Sequence, residues 1–95
     1  MRTQKKFYVI AYDVCDDKRR RHVVKLLEAL GTRTNFSVFE CMLTPKQFAT
    51  LQKELLQVID TKEDSLVYYP ICLNCYAKIS YVPGKNKEYE KVVAV

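Results

Sequence analysis

Ninety-five residues with 48% hydrophobic side chains, two glycines and three prolines make one folded domain, and exclude the disordered and low-complexity classes. The net charge of +5 is uneven: residues 1–35 carry nine Lys/Arg against four Asp/Glu, whereas residues 36–95 carry seven of each. The excess points to an anionic partner near the start of the chain, with nucleic acid ahead of a membrane surface, because no strongly amphipathic membrane-binding pattern accompanies it.

The run Phe7-Tyr8-Val9-Ile10-Ala11-Tyr12-Asp13 is aromatic and β-branched and closes on a carboxylate, so residues 6–13 are the first strand. It is too short for an export signal, and Asp13 interrupts it. The remaining apolar runs fall far below a membrane span, so a cytoplasmic protein with no membrane partner is expected. The four cysteines Cys15, Cys41, Cys72 and Cys75 then read as reduced thiols. Cys72-Leu73-Asn74-Cys75 lacks two further ligands at zinc spacing and reads as packing or turn residues.

Asp16 or Asp17 caps a helix predicted over 17–30, with Val23, Leu26, Leu27 and Leu30 at the helical period and Gly31 as its stop. Thr32 to Leu43 favours extended chain, and Asn35 marks a break into two paired strands. Thr44-Pro45-Lys46-Gln47 opens a second helix over 45–60, whose apolar face is Phe48, Leu51, Leu55 and Val58 or Ile59. Leu66 to Tyr69 is a further strand that Pro70 assigns to a sheet edge or a bend. The alternation from Tyr76 to Val82 predicts one more strand, ending at Pro83-Gly84. Residues 1–83 thus form the domain. Residues 84–95 are a tail suited to adding a short strand to a neighbour's open edge.

This order is the split βαβ of ferredoxin-like α+β domains, βαββαβ plus an extra C-terminal strand. It predicts an antiparallel sheet with two helices on one face and a two-fold homodimer through the other.

His22 has no nucleophile near it in sequence, and Gly31 and Gly84 are too few for a phosphate loop, so triad, kinase and dehydrogenase chemistry have no support. Asp13 is the remaining candidate. One carboxylate holds magnesium poorly, but two Asp13 residues across a dimer axis can hold one hydrated divalent ion. Arg19, Arg20 or Arg33 would grip flanking phosphates, and Asp16 and Asp17 are alternative ligands. The competing reading is that Asp13 only ends the strand and accepts backbone hydrogen bonds at the turn.

Tyr12-Asp13-Val14, Asp16 to Arg21, Gly31, Ser37-Val38-Phe39-Glu40 and Asp64 to Pro70 together resemble the small CRISPR-associated Cas-two family over most of residues 6–82. The resemblance implies a ferredoxin-like homodimer that works with the CRISPR integrase in spacer acquisition. It also implies a metal-dependent endonuclease acting on RNA or double-stranded DNA with magnesium or another divalent ion such as manganese. On this basis Asp13 is the metal-binding and catalytic acid, with Tyr12 beside it. The resemblance implies that Arg20, Arg33, Ser37 and Phe39 contact nucleic acid, although Phe39 also suits the core, and the basic start of the first helix adds Arg19 and Arg21 to that expected contact. The chain departs from the family pattern at His22 and at Asn35-Phe36. The alternative within the same resemblance is a purely structural scaffold for duplex DNA, without catalysis.

Overall fold

The computed structural model describes residues 4–82. Its elements are β1 (Lys6–Asp13), α1 (Asp17–Glu28), β2 (Gly31–Asn35), β3 (Val38–Leu43), α2 (Pro45–Val58), β4 (Ser65–Ile71) and α3 (Leu73–Ala77). The strands form one sheet in the order β2-β3-β1-β4, every neighbouring pair antiparallel, which is the ferredoxin-like arrangement.

Strand periodicity divides β1 between two environments. Tyr8, Ile10 and Tyr12 join Phe39, Cys41 and Leu43 of β3 in a core closed by Val23 and Leu27 of α1 and Leu51 and Leu55 of α2. Each of these large apolar side chains contributes roughly 1.5–3 kcal/mol by leaving water. Tyr8 stacks on Phe48 at 4.1 Å, and Phe48 meets Tyr68 of β4 edge-on at 5.3 Å, so α2 is fixed against both strands.

Local chemistry sets the helix limits. Asp16 caps α1 by accepting the Arg19 amide, and Thr44 and Gln47 form a reciprocal capping box with Pro45 in the first turn of α2. Gly31 does not stop α1, which ends at Glu28; it opens β2 instead. A Cβ at Gly31 would collide with the Glu40 carbonyl oxygen and Cys41 Sγ, so the residue is fixed by the closeness of β3.

The expected strand over Tyr76–Val82 does not form among the described residues. Cys72 caps α3, and Tyr76 is buried against Phe7 at 4.7 Å on the sheet face that α1 and α2 leave open. Further on, the Tyr81 hydroxyl donates to the carboxylate of Glu40 at 2.8 Å. Burying Tyr76 and tying half-buried Tyr81 to Glu40 carries the chain across the sheet, where an extra strand would run along its edge. The tail expected over 84–95 lies outside the described residues.

The turn before β4 is held by a charged knot. The Asp64 side chain is inaccessible to solvent and accepts from the Cys15 amide at 3.0 Å, the Asp60 amide at 2.9 Å and Arg19 Nε at 2.8 Å. Glu63 adds a second contact to Arg19 at 3.3 Å. A buried carboxylate persists only when it is paired and hydrogen-bonded in this way. The Arg19 guanidinium, aided by the two amides, holds the Asp64 carboxyl well below the usual carboxylate range.

A carboxyl depressed on folding stabilises the fold above its unfolded pKa, about 3.9, and that contribution is lost as pH falls through the folded value. Asp64→Asn should therefore lower the thermal midpoint near neutral pH, with the wild-type and variant curves converging in acid. Thermal melts across the acid range check this, and curves that stay parallel would remove Asp64 as a source of acid sensitivity. Gly31→Ala should cost about 1–3 kcal/mol through overpacking, measured by urea unfolding. An unchanged midpoint would mean that β2 and β3 separate freely there.

Candidate nucleic-acid interface

The outer side of α1 and the facing edge of β2 enclose a groove of about 450 Å³, lined by Asp17, Arg20, Arg21, Val24, Lys25, Glu28 and Arg33. Four cations against two carboxylates leave it positive. Arg20 lies along one side, both terminal nitrogens donating to Asp17 at 2.7 Å and its Nε to the Val14 carbonyl at 3.3 Å. That last bond ties the basic helix to the end of β1. Arg21 is exposed and has no ion pair among the described residues. Lys25 joins it without having been expected; its i,i+4 spacing from Arg21 is the sequence signal that finds it.

Arg33 forms the far wall. Its Nη2 donates to the Tyr12 hydroxyl at 3.1 Å and to the Phe36 carbonyl at 2.9 Å, and its guanidinium lies 5.8 Å from the centre of the Phe39 ring. Phe39 is fully buried, so its ring offers no exposed face for the expected contact with nucleic acid; it lies beneath the Arg33 guanidinium. Tyr12 is also buried, and its hydroxyl donates to the Phe36 carbonyl at 2.7 Å while its amide donates to the Ser37 carbonyl at 3.0 Å. Its observed place is as an anchor of the β2–β3 turn. Ser37 is exposed in that turn.

Arg19 was expected beside Arg20 and Arg21, but the pair with Asp64 turns its guanidinium away from the groove residues. The 45-residue separation of the partners leaves no local sequence signal for that contact. Asp13 is exposed at the end of β1, opposite Ser65 in the β4 register. It shares the open sheet face with Val9 and Ala11. Asp16 and Asp17 are occupied by the α1 cap and by Arg20.

One chain therefore presents a single uncommitted carboxylate at the strand end, and no group of three possible ligands stands together among the described residues. That does not fit a divalent ion, which needs about six oxygen ligands; two Asp13 carboxylates with water come closer. The four cysteines are free thiols. Cys72 Sγ accepts the Cys75 amide at 3.3 Å, and this bond lowers its pKa. No helix among the described residues is long and apolar enough to cross a membrane.

The family model described as CRISPR associated protein Cas2 matches residues 6–79. The protein named CRISPR-associated endoribonuclease Cas2 3 of Synechocystis sp. is 50% identical over 64 residues, covering 67% of this chain and 70% of that one. Among solved structures, Streptococcus pyogenes Cas2 gives a TM-score of 0.72 at 36% identity, covering 79% of this chain and 96% of its own. A chain of a partial Cas6-RT-Cas1–Cas2 complex gives 0.72 at 30% identity, covering 84% and 88%. The match begins with the first residue of β1, runs past α3 and takes in every side chain of the groove, and the chain accordingly belongs to the CRISPR-associated Cas2 family.

Proposed function

We propose that this chain is a CRISPR adaptation subunit that holds nucleic acid along the α1–β2 groove and assembles with the CRISPR integrase. The observation that carries the reading is the convergence of Arg20, Arg21, Lys25 and Arg33 on one groove anchored to the end of β1. Exposed guanidinium and ammonium groups in a row suit a sugar-phosphate backbone, read by charge and without sequence. The likeness to a chain solved in a complex with Cas1 supports the assembly role.

A second reading, metal-dependent cleavage of RNA or DNA, is favoured by one feature. Asp13 is the exposed carboxylate on the sheet face that a second copy would cover. The relatives named endoribonucleases support it. In a homodimer the two Asp13 carboxylates would hold magnesium or manganese. When bound, the ion supplies charge neutralisation at a phosphodiester. Arg20 orients the strand end through the Val14 carbonyl, and Tyr12 keeps Arg33 at the groove wall.

Replacing Arg20, Arg21 and Lys25 together by Ala should weaken duplex DNA binding and flatten its salt dependence by about 0.9 for each phosphate that is no longer neutralised. Titrations at several salt concentrations measure this, and an unchanged slope would move the nucleic-acid site elsewhere. Asp13→Ala should leave binding within about two-fold of wild type and lower magnesium-dependent cleavage of single-stranded RNA or duplex DNA on the order of a hundredfold. Equal cleavage by both proteins would remove Asp13 from the chemistry, and binding without cleavage by either would leave the holding role alone.

A further inference from the structure

Phe36 is 87% exposed at the tip of the β2–β3 turn, and its backbone is fixed on both sides. Its carbonyl accepts from Tyr12 and Arg33, and its amide donates to Asn35 Oδ1 at 2.8 Å. A large apolar ring on a backbone held by three hydrogen bonds gains nothing from folding and stands ready for a ligand.

The neighbours of the ring indicate what that is. Phe36 lines a shallow cleft of about 290 Å³ with Arg33, Thr34 and Asn35, and Arg33 is also the far wall of the basic groove. The two depressions share Arg33. No other apolar side chain shares the cleft, whereas a protein-docking site needs a cluster of them. A single aromatic face beside a cation and polar groups is instead the pattern that stacks a base while the backbone lies in a positive channel.

We infer that the Phe36 ring is a stacking platform for an unpaired base of a nucleic acid lying in the α1–β2 groove. This rests on the groove being the nucleic-acid site. It gives the chain a preference for strands with unpaired bases, such as an overhang or a single strand, over a blunt duplex. The fixed turn keeps the ordering cost of stacking low.

The experiment compares a blunt DNA duplex, the same duplex with a short single-stranded overhang, and single-stranded RNA, each binding to wild type, Phe36→Ala and Phe36→Trp. The chain contains no tryptophan, so the introduced indole is the sole such reporter. Phe36→Ala should lower affinity for the overhang and single-stranded ligands by between about five-fold and a hundred-fold more than for the blunt duplex. Phe36→Trp should restore that affinity, and its emission should be quenched by the ligands with unpaired bases.

Equal losses on all ligands, or unquenched emission while ligand is bound, would overturn the inference and leave the groove reading standing. Unchanged nucleic-acid binding with lost association with the integrase would make Phe36 a protein contact and overturn it as well. If wild type binds none of the ligands, the groove reading fails and the stacking role falls with it.

Discussion

Tyr12, Asp13 and Val14 leave the end of β1 in three directions, and the placement of every candidate functional group follows from that. Strand geometry sends Tyr12 toward the helices and Asp13 to the opposite face, while the Val14 carbonyl meets Arg20. The Tyr12 hydroxyl holds the turn that carries Phe36, and through it Arg33. β1 lies between β3 and β4 in the sheet, and at its end Tyr12 and Asp13 stay paired with Leu66 and Ser65 of β4 while the Tyr12 amide donates to the Ser37 carbonyl. A basic helix and a hairpin tip distant in sequence are thereby held at one site.

The arginines show how packing separates residues that look alike in sequence. Arg19, Arg20 and Arg21 are consecutive, yet helical rotation turns each toward different partners. Arg19 faces Asp64, whose buried carboxylate would be stranded without it, so its charge serves the fold. Arg20 is paired with exposed Asp17, an interaction that contributes little to stability and yields readily to a phosphate. Arg21 and Lys25, one turn apart, are exposed to water. The cations of α1 are therefore divided between a structural knot at one end of the helix and a basic groove along its side.

The parts legible in the sequence were those written in short-range chemistry. The β1 limits, the Asp16 cap, the Thr44–Gln47 box and the break after Asn35 all depend on residues a few positions apart, and the structure reproduces them. Gly31 reads in the sequence as the stop of α1 but opens β2, because its requirement comes from β3 across the sheet and not from the helix before it. The period-two pattern over Tyr76–Val82 was misleading because an alternation records only that some side chains are buried. Tyr76 meets that condition from a helix, against Phe7. Family resemblance points to Phe39 and Tyr12, and the structure places both beside Arg33, contacts that no spacing reveals. The exposure of Phe36 was likewise invisible, since an aromatic between strands reads as core.

The open face of the sheet constrains how a second copy could complete the Asp13 site. Tyr76 covers Phe7 near the start of β1, and Tyr81 reaches Glu40, which pairs with Val9 midway along the strand. The exposed remainder of that face gathers toward the other end, where Val67 and Tyr69 of β4 stand beside Ala11 and Val9, and Ser65 beside Asp13. A partner seeking apolar contact would therefore settle over the half of the face that carries Asp13. A two-fold axis through that half brings the two carboxylates together, whereas an axis nearer Phe7 keeps them apart. In such a dimer Val67 and Tyr69 would decide whether the two Asp13 residues meet, and neither lines the α1–β2 groove, so changes at the two places would act independently.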